Sequence, residues 1–188
     1  IGGPAKNSAH DKEPYAERSI CWDGADPTII DQIVIPATSY KGPLRHRTLY
    51  YLRKNQTSET ESSPEQMLSE VFGEVSADGI GQAGKLRFYD IRIEHPQRIT
   101  RTQVGIDRFT GGAQSSVLFT NQILWQPEAD FVIEEIDEIS SKSSAAIEMA
   151  LNDLAIGLLG VGADWGDGAG VFIGEIRQEG AEAARHDR

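Results

Sequence analysis

Residues 34–45, with the sequence VIPATSYKGPLR, carry side chains suited to binding a phosphate. A strand ending at Pro36 would lead through two hydroxyl residues into a helix. Hydroxyls and free backbone N–H groups at a helix start form an anion site, and the two cations that follow would neutralise phosphate charge. The residues of this predicted site are Thr38, Ser39, Lys41, Gly42 and Arg45. The alternative is an ordinary Ser/Thr helix cap beside solvated cations.

Charge is unevenly distributed along the chain. The net charge of −11 and the pI of about 4.8 argue against a free-standing nucleic-acid binder. Residues 41–54 and 85–108, however, together hold 11 of the 18 Lys and Arg residues and only 3 of the 29 acids. Residues 128–179 hold twelve acids against two cations. This segregation predicts one basic face and one acidic face, unless the charges cluster by chance on solvated helices.

Length and composition exclude several classes of protein. The 188 residues fit one domain of ordinary size. A single cysteine, Cys21, excludes an internal disulfide framework and an all-cysteine metal site. No apolar run approaches the roughly 18 residues of a membrane helix, and the N-terminus does not resemble a signal peptide. We therefore expect a cytoplasmic protein with no membrane contact.

Local patterns predict the elements that would position these residues. Residues 1–20 are polar and predict a loop. The elements expected after it are an extended segment over 29–36, helices over 43–54 and 64–72, strands over 85–93 and 130–139, a helix from 143 or 144 to about 159, and a strand over 171–176. This order predicts an α+β fold with a ferredoxin-like (RRM-like) βαββαβ core whose first strand is absent from the chain. A single domain would cover 1–178, including a long insertion over 95–120, and 179–188 would be a flexible tail.

Three segments, in this order, resemble motifs of the RAMP superfamily (repeat-associated mysterious proteins). Residues 34–45 are similar to its IPGSSLKGxLR element, with departures at Ala37, Thr38 and Tyr40. Residues 101–119 are similar to its IDRxTGxAxxGxLF segment, and 157–172 occupy the place of its C-terminal glycine-rich loop. The chain thus resembles the backbone (Csm-like) subunits of type III CRISPR effector complexes, which bind guide RNA.

The resemblance implies partners and an RNA-binding surface. The partners would be the CRISPR guide RNA, the target RNA and other RAMP-type subunits, in a role in antiviral defence. The insertion over 95–120 would act as a thumb across guide and target, with Phe109 or Phe119 against bases. The alternative for Phe119, beside Val117 and Leu118, is a place in the core. The phosphate contacts of the thumb would be Arg98, Arg101 and Arg108. The glycine-rich loop has two acids, at 164 and 167, where the family has Ser-Arg, and would serve packing or a neighbouring subunit as readily as RNA.

The resemblance also implies a catalytic role. Residues 25–31 are similar to a family loop, xDxPVIxD, that aligns Asp26 with a catalytic aspartate and Asp31 with a second acid. Asp26 would help to deprotonate the 2′-OH of the target RNA or hold Mg²⁺ or another divalent cation that does so. In the alternative, Asp26 caps a turn before Pro27 and the chain is a non-catalytic structural RNA-binding subunit. A third alternative is a guide-processing endonuclease with His10, His46 or His95 as base.

Overall fold

The computed structural model describes residues 2–4, 9–24, 26–56, 62–75, 78–162 and 164–179. The chain is α+β and divides into two compact units, residues 1–39 with 88–133 and residues 40–87 with 134–188. Among the described residues, no helix is long and apolar enough to cross a membrane.

The first unit contains a three-stranded antiparallel sheet around a long hairpin. Its strands are β3 (Ala16–Asp23), β4 (Asp26–Ile35) and β8 (Ile91–Arg92), in the order β3-β4-β8. The inner end of β4 is buried at Ile33, Val34 and Ile35, where β8 pairs with it. The outer half of the β3–β4 hairpin is exposed, although its pairing runs without interruption to Asp23 and Asp26.

The second sheet of this unit holds the predicted insertion. Its strands are β1 (Gly2–Pro4), β2 (Lys12–Pro14), β10 (Ala113–Leu124) and β9 (Arg98–Ile106), in the order β1-β2-β10-β9. Strands β9 and β10 form a long antiparallel hairpin with a register shift between Ala113 and Leu118. We call β9, β10 and the turn between them the thumb hairpin. Its bulge lies over Gly105, where a Cβ atom would come within 2.6 Å of Val117 Cγ1.

Three helices dominate the second unit. They are α1 (Ala37–Lys54), whose first three residues belong to the first unit, α2 (Pro64–Phe72) and α3 (Ser141–Ala155). Helix α1 buries Tyr40, Leu44, Thr48 and Leu52, which recur at helical spacing. The remaining elements are the short hairpin β5 (Glu74–Val75) and β6 (Gly81–Gln82), the pair β7 (Leu86–Phe88) and β11 (Ile133–Glu135), and a 3₁₀ turn at Trp165–Asp167. The last residue of β7 and the first residue of β11 belong to the first unit.

Residues within α2 and next to it determine where this helix begins and ends. Ser63 Oγ accepts a hydrogen bond from the Gln66 N–H, and the Gln66 side chain accepts one from the Ser63 N–H, which forms a capping box. Pro64 occupies the first turn, where its missing N–H costs nothing, and Gly73 at φ +84° ends the helix.

Several sequence predictions are corrected at the N-terminal end. The predicted loop over 1–20 is wrong, because it contains β1, β2 and most of β3. The extended segment expected over 29–36 is longer than predicted, because the ten-residue β4 runs from Asp26 to Ile35 and directly precedes α1. The physical reason is pairing: residues 26–28 look like a turn locally, but each pairs with a residue of β3 and is held extended.

Two further boundaries differ from the predictions. Helix α1 begins at Ala37, so Pro43 is inside the helix rather than at its start. The predicted strand over 171–176 does not form, because residues 171–179 make no strand pairing in the described chain. The predicted tail over 179–188 lies outside the described residues except for Glu179. The division into two compact units does not test the predicted single domain over 1–178, which stays a prediction.

Candidate nucleic-acid interface

The predicted anion site lies at the start of α1, and a carboxylate of the chain itself is bound there. The Ser39 N–H donates to the Pro36 carbonyl at 2.9 Å, which closes the first turn. The Ala37 N–H donates to Asp90 Oδ1 at 2.6 Å. Asp90 therefore occupies one of the donors that a phosphate would use. It lies 53 residues from Ala37, and no local sequence signal connects the two.

Helical spacing separates the five predicted phosphate ligands into two groups. Thr38, Lys41 and Arg45 are at i, i+3 and i+7 and share one face of α1. Ser39 and Gly42, three residues apart, share another. A phosphate chain could contact both groups only by lying along the first two turns of the helix.

Two residues of this site have distinct environments. A Cβ atom on Gly42 would meet nothing within 4 Å, so the backbone there is open to a ligand. Arg45 is half-buried, and its Nη1 donates to the Gly73 carbonyl at 2.6 Å. That bond ties α1 to the end of α2, so Arg45 has a structural contact besides its predicted role at phosphate.

The thumb hairpin holds the three other predicted cations, and they do not converge. Arg98 and Arg101 are three residues apart on β9 and therefore point to opposite faces. Arg98 Nη1 contacts Gln122 Oε1 at 3.2 Å, and Arg101 is half-buried. Arg108 is exposed in the turn, beyond the end of the strand. These residues fit contacts spread along a strand of RNA, not one phosphate pocket.

The tip of the thumb hairpin is organised by one carboxylate. Asp107 Oδ1 accepts hydrogen bonds from the Thr110 N–H at 2.7 Å, the Phe109 N–H at 2.9 Å and the Thr110 hydroxyl at 3.0 Å. The bonds from Thr110, followed by that from the Phe109 N–H, lower the pKa of Asp107. Gly111 at φ +69° completes the turn. The motif IDRFTGG is therefore a self-bonded turn.

This turn displays an aromatic ring. The side chain of Phe109 is 92% exposed, although the backbone around it is fixed by Asp107. Phe119, the other predicted base contact, is about half exposed on β10. A rigidly presented, solvated aromatic ring can stack on a nucleobase. The spacing Asp-x-x-Thr was the sequence signal for this turn.

The two predicted catalytic acids lie on β4, outside its buried end. Asp26 is exposed at the outer end of the hairpin, and Asp31 is exposed five residues further on. An odd spacing puts them on opposite faces of the strand, so they cannot ligate the same ion together. Ten residues of strand separate Asp26 from Pro36, which is about 30 Å.

A metal site at Asp26 would need ligands from elsewhere. Within the described residues, no three His, Cys, Asp or Glu side chains form a group able to hold a metal ion. Mg²⁺ is commonly bound by one or two carboxylates together with substrate phosphates and water. Asp26 therefore fits a site that RNA completes and does not fit a site built by protein alone.

Some of the basic segment 41–54 is neutralised within the second unit. Arg47 Nε lies 3.1 Å from the buried Asp153, which also accepts the Tyr51 hydroxyl at 2.7 Å. Arg53 lies 2.8 Å from Glu65 and lowers the pKa of that carboxyl. The surface is therefore less cationic than the sequence indicated.

The glycine-rich loop shows a packing role for its glycines. A Cβ atom on Gly160 would come within 2.5 Å of Trp165 Cβ, and one on Gly170 would collide with the Val161 carbonyl. The Val161 N–H donates to the Gly170 carbonyl at 2.9 Å. The glycines thus allow the loop to close on itself. Trp165 remains largely exposed.

The comparisons with known proteins agree with the sequence motifs. The family model described as the RAMP superfamily matches residues 31–173, most of the chain. The chain belongs to the RAMP superfamily. This confirms the resemblance carried by its motifs at 34–45, 101–119 and 157–172.

Solved structures share the fold at low sequence identity. A chain of a "Type IV-B CRISPR Complex" is similar with a TM-score of 0.56 and 14% identity, over 94% of this chain and 91% of that one. A chain of a "Type III-B Cmr-beta bound to cognate target RNA" has a TM-score of 0.50 and 16% identity, over 78% of this chain and 46% of that one. No curated protein matches significantly. The α+β arrangement is consistent with the ferredoxin-like fold predicted from the sequence.

Proposed function

We propose that this chain is a guide-RNA-binding backbone subunit of a CRISPR effector complex, with type III as the branch its motifs favour. Membership of the RAMP superfamily supports the proposal, as does similarity to chains of a type IV-B and a type III-B complex. Its partners would be guide RNA, target RNA and other RAMP-type subunits.

The observation that carries the proposal is the exposed Phe109 on the rigid tip of the thumb hairpin. An apolar ring held in water has no function in the stability of the chain, because it removes almost no area from solvent. Against RNA the ring would stack on a base, while Arg98 and Arg108 contact phosphates. In the second unit, Lys41 and the open backbone at Gly42 on α1 would offer further contacts to RNA.

The test measures the affinity of the purified chain for a single-stranded RNA by fluorescence anisotropy over a series of salt concentrations. Replacing Arg98 and Arg108 with alanine should weaken binding and lower the slope of log Kd against log salt by about 0.7 for each lost phosphate contact. Lys142→Ala, in the acidic half of the sequence, is the matched control for loss of one cation. Equal slopes for all variants would contradict the proposal.

We further propose that Asp26 takes part in cleaving the target RNA. In this proposal, the exposed carboxylate of Asp26 takes the proton of the 2′-OH next to the scissile phosphate, or shares Mg²⁺ with that phosphate. The products are a 2′,3′-cyclic phosphate and a 5′-OH. The bound ion would supply charge neutralisation at the phosphate. Asp31 faces the other side of the strand and would not take part directly.

The competing proposal is a non-catalytic structural subunit, favoured because no three His, Cys, Asp or Glu side chains of the described residues form a metal-holding group around Asp26. The two are separated by assembling the complex with guide RNA and adding matched target RNA with Mg²⁺. Asp26→Asn should abolish cleavage and leave target binding intact, while Asp130→Asn serves as the charge-matched control. Cleavage at the wild-type rate by the Asp26→Asn complex would establish the structural role.

A further inference from the structure

The outer half of the β3–β4 hairpin carries an apolar face in water. Ile20 is paired with Ile29, and Trp22 with Pro27, so these four side chains share one face. Ile20, Trp22 and Ile29 are 65%, 66% and 72% exposed. Nothing in the described residues covers them. A hairpin that shows three large apolar side chains together is an unusual surface for a monomer.

The same face ends in one positive and one negative charge. Arg18 and Asp31 are paired directly across the hairpin, one rung inward from Ile20 and Ile29. Both residues are exposed. Among the described residues, neither side chain makes a hydrogen bond or an ion pair. The face therefore has an apolar outer part, two unsatisfied charges of opposite sign, and no net charge.

We propose that this face binds the same face of a second copy of the chain, about a two-fold axis parallel to the strands. Such an axis lays β3 of one copy over β4 of the other. Ile20 then meets the partner copy of Ile29, and Trp22 meets the partner copy of Pro27. The same rotation places each Arg18 against the other copy of Asp31. Sheet faces pack about 10 Å apart, a gap that an arginine side chain can cross.

The order of residues favours a second copy over RNA as the occupant. An isologous interface requires a patch that is complementary to itself, and this register supplies apolar against apolar and cation against anion in both directions. RNA binding requires an excess of cations, whereas the charges of Arg18 and Asp31 cancel. The contact goes beyond the proposed function, because it needs no RNA.

The size of the apolar face determines how tightly two copies are expected to bind. A stable interface buries about 800 Å² on each partner, which is more than three large apolar side chains and a proline supply. We therefore expect a reversible dimer whose population depends on protein concentration.

The experiment is sedimentation velocity of the nucleic-acid-free, full 188-residue chain over a wide range of concentration. The wild type should shift from monomer to dimer as concentration rises. Trp22→Ser should raise the dimer Kd at least about tenfold through loss of its apolar contact. Arg18→Asp and Asp31→Arg should each do the same, because each puts like charges together across the axis.

The decisive measurement compares a mixture of the two charge variants with each variant alone. In a mixed dimer, the Arg18→Asp chain offers two acids and the Asp31→Arg chain offers two arginines, so both inter-chain pairs are restored. Mixing should therefore recover dimer although each chain keeps its own like-charge pair within the hairpin. A change in the stability of the monomer cannot produce this recovery.

Three outcomes would overturn the proposal. A wild-type chain that stays monomeric at every concentration excludes the dimer. Dimers that persist in Trp22→Ser and in both charge variants place the contact on another surface. Association that appears only with added RNA assigns the face to nucleic acid. Far-UV circular dichroism of every variant verifies that the strands still form.

Discussion

The carboxylate of Asp90 lies 2.6 Å from the backbone nitrogen of Ala37, at the first residue of α1. A helix start offers free N–H groups and a partial positive charge, and Asp90 already uses part of both. Any phosphate that approaches Thr38 and Ser39 therefore meets an anion of the protein. This hydrogen bond caps α1 and weakens the phosphate-binding site that was predicted from the sequence.

Asp90→Asn should bind single-stranded RNA more tightly than the wild type at low salt. Removing a charge beside a helix start changes the interaction by about 0.3–1 kcal/mol, or roughly two- to fivefold in Kd. The same change should lower the free energy of unfolding by a similar amount. Glu148→Gln, on the exposed side of α3, is the control for net charge. Unchanged affinity in Asp90→Asn would mean that RNA does not reach this helix start.

Gly42→Ala should stabilise the protein and weaken RNA binding. Alanine in the interior of a helix is favoured over glycine by about 0.5–1 kcal/mol, and the new methyl group meets nothing within 4 Å. The same methyl group would hold a phosphate chain away from the helix backbone. Urea unfolding and fluorescence anisotropy measure the two effects. Gly174→Ala, which also has open space around its Cβ position, should leave RNA affinity unchanged.

Features determined by nearby residues could be predicted from the sequence. Helix α2 follows from Ser63, Pro64, Gln66 and Gly73, all within its own span or adjacent to it. The strand that ends before Pro36 and the long insertion were also predicted from local patterns, although α1 begins at Ala37, earlier than predicted.

Features determined by distant pairing could not be predicted in this way. Strand β3 looks like a polar loop because its conformation comes from pairing with β4. Likewise the contact of Asp90 with Ala37 spans 53 residues. The motif over 25–31 predicted that Asp26 and Asp31 belong to one catalytic site. The strand conformation of β4 instead puts the two side chains on opposite faces.

Asp153→Ala should destabilise the second unit strongly. Asp153 is buried, contacts Arg47 at 3.1 Å and accepts the Tyr51 hydroxyl. Removing the Asp153 carboxylate leaves the Arg47 guanidinium and the Tyr51 hydroxyl without this acceptor, at a cost of about 3 kcal/mol in unfolding free energy. Chemical denaturation measures this cost. Glu148→Gln on the same helix should change stability by less than about 0.5 kcal/mol. Equal stability of both variants would show that the pair contributes little.

The turn at the thumb tip should stay ordered down to low pH. Hydrogen bonds from Thr110 and then Phe109 lower the pKa of Asp107 below its ordinary value of 3.8. Since the folded pKa is the lower one, the stabilisation is present above pH 3.8 and is lost as pH falls through the folded value. The amide resonances of Phe109 and Thr110 should be constant from pH 7 to about pH 4 and then shift. In Asp107→Ala both amides should exchange faster with solvent at pH 7, whereas exchange as slow as in the wild type would contradict this role.

Phe109→Ala should weaken RNA binding without changing stability. Stacking of a base on an aromatic side chain contributes about 1–3 kcal/mol, so Kd should rise roughly 5- to 150-fold. The ring is 92% exposed and removes little area from water in the free protein, so the unfolding midpoint should not move. Ile173→Ala, at 88% exposure, is the control for loss of an exposed apolar side chain and should leave Kd unchanged. Phe109→Trp should retain binding because it preserves the stacking surface. Equal Kd values for Phe109→Ala and the wild type would remove the thumb tip from the RNA-binding surface and leave α1 as its remaining candidate.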